Sequence, residues 1–281
     1  MNIIDGKVVS QNIRQEISRE VATLNAQGKN VGLAVIIIGQ DPASKVYVKN
    51  KINACRETNI QSFLYELDAN ISQDYVLNLI DTLNKDDNVN GILVQLPIPK
   101  HLDKEEILSR ISVAKDVDGF SAEQAGKMFL GEEALVSCTP QGIIELLKAY
   151  NVEIEGKNAV VVGRSNIVGK PVATLLLQEN ATVTVCHSKT KNLSQFTSNA
   201  DILVTAIGKA KFVTKDMIKN GAVIVDAGIN RDENGKLCGD VDFDDVFDKC
   251  SLITPVPGGV GPMTVTMLLK NTLIAAKNGT K

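Results

Sequence analysis

The segment AVVVGRSNIVGKPVATLLLQEN, residues 159–180, decides how the chain is read. An apolar run, Ala159–Val162, meets Gly163, a polar turn, Gly169 and then a second apolar segment with helical spacing. A dinucleotide-binding fold needs this handover. Small residues let the backbone approach a pyrophosphate, and the helix N-terminus stabilises its charge. The pattern departs from GxGxxG: Ser165 replaces the second glycine, and Gly169 comes one residue late. By itself the segment also suits a tight strand–helix turn of any α/β protein.

Working outward, apolar runs alternate with helix-period segments along most of the chain. Strands are expected at Val31–Gly39, Ile60–Leu67 and Gly91–Leu96, then at Asn158–Val162, Thr182–Cys186, Asp201–Ile207, Ala222–Ala227 and Leu252–Pro255. Amphipathic helices are expected at Val8–Gln27, Ala43–Glu57, Gln73–Leu83, Gln141–Tyr150 and Thr264–Lys277. Near-continuous Val/Ile/Leu strands separated by helices predict parallel sheets covered on both faces. The rhythm breaks between Ser112 and Ser137, where KDVDGF and GKMFLGEE carry turn residues and no strong strand. The reading is α/β with two domains and a cleft between them. Residues 1–120 form a three-layer α/β domain, on which a helix within 264–281 packs back. Residues 121–263 form a Rossmann-type domain. The closing NGTK reads as a frayed tail.

Composition narrows the function. The chain has 281 residues, 44% of them hydrophobic, which supplies real cores and argues against disorder. A net charge of −3 argues against a nucleic-acid protein but leaves room for an anionic ligand. The five cysteines form no CxxC pair or zinc spacing and read as reduced thiols of a cytoplasmic protein. No apolar run reaches membrane-span length, and MNIIDGKVVS has no signal-peptide pattern. With two histidines, His101 and His187, a multi-histidine metal site is not expected.

Individual residues suggest two sites. The expected strand 182–186 leads into His187, Ser188, Lys189 and Thr190, with no carboxylate to bind an adenosine ribose. Ser188 and Lys189, with Arg164 in the glycine turn, suit a 2′-phosphate and favour NADP over NAD. Equally, these are residue types of a solvated loop. His187 reads as structural, or as the rim of a cofactor site, more readily than as a base. In the first half, Asp41, Pro42 and Ser44 announce a helix on which Tyr47 and Lys51 share a face. A short-chain dehydrogenase YxxxK pair is rejected, because it would follow the glycine turn rather than precede it. Gln95, at the carboxyl end of an apolar strand, needs a polar partner. Asp116 and Asp118 lie in the interdomain passage, as ligand groups or as turn caps. TPVPGGVGPMTV, at 254–265, specifies a rigid, close-approach loop.

These residues resemble the bifunctional methylenetetrahydrofolate dehydrogenase/methenyltetrahydrofolate cyclohydrolase family over nearly the whole chain. The resemblance is carried by DPASKVYVKNK at 41–51, GILVQLPIP at 91–99, KDVDGF at 115–120, CTPQGI at 138–143, GRSNIVGKP at 163–171 and PGGVGPMT at 257–264. QLPI, where the family often has QLPL, is a trivial departure. The resemblance implies that Tyr47 stacks on the folate, Lys51 is the catalytic lysine, Gln95 tunes it and Asp118 grips the pterin. It implies that Gly163, Arg164, Ser165 and Ser188 bind NADP, that Ile229 contacts it through backbone, and that Pro257, Gly258 and Gly259 line the folate side. It further implies a homodimer through the second domain, and a place in one-carbon metabolism that includes purine biosynthesis. No metal is implied.

The chemistry suits such residues. Hydride loss from methylenetetrahydrofolate is assisted by a ring nitrogen, so the protein needs chiefly to position the donor carbon. Hydrolysis of the methenyl product needs proton transfer, which a lysine with a burial-lowered pKa can perform. Two other readings are a two-domain NAD(P)-dependent amino- or hydroxy-acid dehydrogenase, which would not respond to folate, and a nucleotide-sensing module. A sensor has no use for a reactive amine.

Overall fold

A computed structural model describes residues 3–279. The helices are α1 (Gly6–Ala26), α2 (Pro42–Glu57), α3 (Gln73–Lys85), α4 (Lys104–Arg110), α5 (Ala122–Leu130), α6 (Cys138–Ala149), α7 (Gly169–Gln178), α8 (Leu193–Thr197), α9 (Phe243–Val246) and α10 (Val260–Asn278). The strands are β1 (Gly32–Ile38), β2 (Gln61–Leu67), β3 (Gly91–Val94), β4 (Asn158–Val162), β5 (Thr182–Cys186), β6 (Ile202–Thr205), β7 (Val223–Asp226), β8 (Asn230–Arg231), β9 (Leu237–Cys238) and β10 (Leu252–Ile253). The chain divides into two compact units. One comprises 12–127, 132–136 and the residues from Val265 on; the other comprises residues up to Gln11, 128–131 and 137–264.

In the first unit β1 lies between β2 and β3, all parallel. Its sequence GLAVIII is buried at every position, as a strand covered on both faces must be. The edge strand β2 has exposed and half-buried positions and no fully buried one. Ile36, Ile38, Ile80, Leu83, Ile92 and Ile107 belong to one apolar cluster that joins the sheet to α3 and α4. A parallel bridge between Ile92 and Asp116 ties the KDVDGF turn to the free edge of β3.

The second unit carries a five-stranded parallel sheet in the order β10-β7-β6-β4-β5. The chain winds one way from β4 to β5 and the other way through β6, β7 and β10. The direction therefore reverses between β4 and β6, and ligands of open α/β sheets bind at the carboxyl edge beside such a reversal. The beginning of the chain joins this unit. Ile4 is fully buried, its N–H donates to the Ile253 carbonyl (2.8 Å), and the Asp5 N–H donates to the Tyr150 hydroxyl (2.7 Å).

The expected strands all form, most of them trimmed at the ends. β3 stops at Val94, and the chain enters Gln95–Leu96 and a cis Leu96–Pro97 bond. The passage 112–137 has no strand, but it holds helix α5 and a short 3₁₀ turn at Val113–Lys115, which the sequence pattern did not announce. α10 runs from Val260, four residues earlier than expected, through Asn278, the first residue of the NGTK tail; Thr280 and Lys281 lie outside the described residues. Among the described residues, no helix is long and apolar enough to cross a membrane.

Candidate active site

Helix α2 presents the first group. Asp41 caps it, accepting from the Ser44 N–H (2.7 Å) and Ser44 hydroxyl (2.8 Å), with Pro42 at the first position. These bonds hold the Asp41 carboxyl below its usual pKa. Ser44, Val48 and Cys55 form the buried stripe of the helix, and Lys51 falls on the same line at helical spacing. Its stem is thereby turned inward, leaving it half-buried, while Tyr47 flanks it, 40% exposed. The Cys55 thiol, one turn on, is pushed up to about 12 by burial, against the pull of the Arg14 and Lys51 charges. It is therefore a protonated core side chain.

Gln95 supplies the polar partner that its position demanded. Its N–H continues the β1 ladder by donating to the Ile36 carbonyl (2.8 Å). The side-chain Nε2 donates to the Leu96 carbonyl (2.7 Å), which orients the amide so that Oε1 accepts from Lys51 Nζ (3.0 Å). A neutral oxygen accepts the amine and leaves its remaining hydrogens available to a ligand.

The two aspartates of KDVDGF separate in role. The Asp116 carboxylate accepts from the Ser121 N–H (2.7 Å) and Phe120 N–H (3.3 Å), so it holds the turn into α5. Lys115 extends to the Leu83 and Asp86 carbonyls and closes the end of α3. Asp118 is half-buried. Burial raises its pKa to about 6, the Lys51 charge pulls it back and Asp116 pushes it further up. The first unit thus brings Lys51, Gln95 and Asp118 together, with Tyr47 on the same helix as Lys51.

The second group lies along the carboxyl edge of the five-stranded sheet. Gly163 follows β4 with φ +139°, and a Cβ there would stand 2.5 Å from the Ala206 carbonyl, just past β6. The missing side chain lets two loops meet at the reversal point. Ser165 substitutes for a glycine by capping. Its hydroxyl accepts from the Val168 and Gly169 N–H groups (both 3.2 Å), leaving the turn 164–167 exposed to a ligand. At the next strand end, Thr190 Oγ1 accepts from the His187 N–H (2.9 Å) and His187 Nδ1 accepts from the Lys189 N–H (3.1 Å). His187 is thus a turn residue, and Ser188 and Lys189 point outward, exposed. With no carboxylate at the end of β5, this edge fits a dinucleotide bearing a 2′-phosphate. Ile229, 54% exposed, follows β7 on the same edge. Pro257 follows a cis Val256–Pro257 bond, Gly258 has φ +113°, and the Gly259 N–H donates to the Pro255 carbonyl (2.8 Å). Among the described residues, no three His, Cys, Asp or Glu side chains are grouped to hold a metal.

The comparisons decide what these arrangements belong to. The family model for the tetrahydrofolate dehydrogenase/cyclohydrolase catalytic domain matches residues 4–118, and that for its NAD(P)-binding domain matches residues 137–280. The chain belongs to the tetrahydrofolate dehydrogenase/cyclohydrolase family. Bifunctional protein FolD of Lachnoclostridium phytofermentans is 58% identical over 98% of both chains. The FolD crystal structure from Campylobacter jejuni is 52% identical, with TM-score 0.97, covering 99% of each chain. The Trypanosoma brucei family member, solved with NADP cofactor and an inhibitor, is 40% identical with TM-score 0.94, covering 99% of this chain and 98% of its own.

Sequence reasoning passed over two buried carboxylates of the family's NAD(P)-binding domain. Asp226 ends β7 and accepts from the Gly228 (2.9 Å), Asp240 (3.0 Å) and Val241 (2.8 Å) N–H groups. Burial raises its pKa to about 6, those amides pull it down and the neighbouring Asp240 adds to the rise. Asp240 is fully buried. Their signal was DAG at 226–228 and GDV at 239–241, acids beside glycines, which reads equally as loop.

Proposed function

We propose that this chain oxidises 5,10-methylenetetrahydrofolate with NADP⁺ and hydrolyses the 5,10-methenyl product to 10-formyltetrahydrofolate. One observation carries the reading: a half-buried lysine amine, oriented by a fixed glutamine oxygen and facing the charge of a raised aspartate, in a member of this family. Folate binding is assigned to Tyr47, Lys51, Gln95 and Asp118, with Pro257, Gly258 and Gly259. The exposed Tyr47 ring offers a stacking face, and Asp118, protonated near pH 6, can donate to or accept from a pterin edge. Gly163, Arg164, Ser165, Ser188 and Ile229 are assigned to NADP, which when bound supplies the hydride acceptor. Residues 12–120 with the C-terminal helix then act as the folate domain, and 121–263, joined by the residues up to Gln11, as the cofactor domain.

In the hydrolytic step, water adds to the methenyl carbon of the cation and loses a proton. The C–N5 bond then breaks as N5 gains a proton and the adduct's hydroxyl gives one up, leaving the formyl group on N10 and one proton released overall. Lys51 Nζ takes up the proton lost by water and returns one to N5 while Gln95 keeps the amine aimed. Replacing Lys51 with Met is expected to lower cyclohydrolase turnover at least about 100-fold. Wild-type hydrolysis of supplied methenyltetrahydrofolate by the variant would overturn the assignment.

The absence of a carboxylate after β5 and the outward Ser188 and Lys189 support NADP over NAD. The cysteine pattern, with no CxxC pair or zinc spacing, supports a cytoplasmic protein, and a formyl product suits formyl transfer in purine biosynthesis. The exposed Val185 on edge strand β5 and Leu177 on α7 support a homodimer through the second unit.

A further inference from the structure

Asp240 has all its acceptor capacity filled by two segments of the cofactor unit. Its Oδ2 accepts from the Ile207 N–H (2.7 Å) and Gly208 N–H (3.3 Å). Its Oδ1 accepts from the Lys209 N–H (2.8 Å) and Asn230 Nδ2 (2.9 Å). Two carboxylate oxygens offer about four acceptor sites, so none remains. Three successive amides of the loop after β6 thus converge on one buried anion. The fourth donor comes from the residue after Ile229.

The approach is close on every side. A Cβ on Gly228 would run into the Asp240 carboxyl, and one on Gly239 into Asp226. Asp226 in turn grips the Asp240 and Val241 N–H groups and accepts from the Thr205 hydroxyl (3.1 Å). The loop held by Asp240 begins where Ala206 meets Gly163, on the β6 side of the reversal between β4 and β6. A ligand at that edge would rest on a surface whose conformation Asp240 dictates.

We propose that Asp240 is a positioning residue for the cofactor, setting the loop Ile207–Lys209 and the Ile229–Asn230 segment in the geometry that receives the dinucleotide. The inference rests on the NADP reading above. It needs no contact between Asp240 and the cofactor; the carboxylate acts through the amides it holds.

Asp240→Asn keeps the volume but leaves one oxygen for four donors and turns an NH₂ toward backbone N–H groups. Because that variant could fail to fold, Asn230→Ala is its milder companion, removing one donor from a half-exposed position. NADP⁺ binding would be measured by calorimetry on the full-length protein. In parallel, cyclohydrolase turnover of supplied methenyltetrahydrofolate would be measured without NADP⁺. For folded Asp240→Asn the expected result is a Kd for NADP⁺ weakened about tenfold or more. Asn230→Ala should shift the same way by a smaller factor, and in both the loss should fall on NADP⁺ binding rather than on hydrolysis. Parental NADP⁺ affinity in folded Asp240→Asn would overturn the proposal. If that variant does not fold, parental affinity in Asn230→Ala would do so. If the parent protein itself binds no NADP⁺, the functional reading fails, a distinct result.

Discussion

Asp116 and Asp118 stand two residues apart, and their surroundings give them opposite tasks. Asp116 spends its carboxylate on two backbone amides and so fixes the turn. No hydrogen bond reaches the Asp118 carboxyl among the described residues, and burial lifts it from 3.8 to about 6. The folded chain therefore holds a proton there that the unfolded chain has lost between those pH values. Asp118's contribution to stability is complete below about pH 3.8 and disappears as the pH rises through 6. Asp118→Asn should consequently gain stability relative to the parent between pH 4 and pH 7.5. The gain is roughly 1–3 kcal/mol, its upper end set by the size of the shift and its lower end by solvent screening. Urea denaturation at the two pH values measures it, and equal midpoint differences at both would disprove it. The same substitution should weaken folate binding, since a site that disfavours its own charge is one kept for a ligand.

Elements were legible where burial made their residues uniform. β1 reads as GLAVIII because both faces are covered, and α2 announces itself through Asp41 and Pro42. The Tyr47–Lys51 spacing was visible because four residues make one helical turn. Helix α5 was missed because its nine residues, AEQAGKMFL, include a glycine and end in Phe129 and Leu130, each 71% exposed, so the bulkiest apolar residues lie off the face, Gln124 and Met128, that the helix buries. The Asp226–Asp240 interlock was hidden for another reason: its fourteen-residue separation has no period, and only the sheet edge brings the two together. Between β4 and α7 the glycine signal was readable, but its cause was not. Gly163 is dictated by the Ala206 carbonyl on a different strand end, as well as by its φ of +139°. Gly163→Ala should therefore destabilise the unit by about 1–3 kcal/mol and abolish detectable NADP⁺ binding at concentrations that saturate the parent. Thermal melts with and without NADP⁺ report both effects. A cofactor-induced rise in Tm as large as the parent's would refute the second.

For the whole molecule, assembly is the property most open to test. The five-stranded sheet ends on β5, a strand with Val185 exposed, beside an α7 that shows Leu177 at 60% exposure. An open edge with apolar side chains invites pairing with another copy, and a charge placed there opposes it. Val185→Glu is expected to convert a dimer to a monomer, as measured by light scattering after size-exclusion chromatography. A dimer that persists in the variant would place the interface elsewhere, and a monomeric parent would remove the dimer reading altogether.

The pairing of Ile4 with Ile253 also orders events in time. On the ribosome, the segment that fills this part of the cofactor unit emerges some 250 residues ahead of its partner strand. For most of translation Ile4 must wait without its burial site, and closing the loop carries the slow, non-local character of long-range contacts. The sheet of the catalytic half, β1, β2 and β3, lies within the first hundred residues and meets no such delay, although α10, which completes that half, is made after β10. Nascent chains should thus spend much of their synthesis with one half's sheet assembled and the other still open.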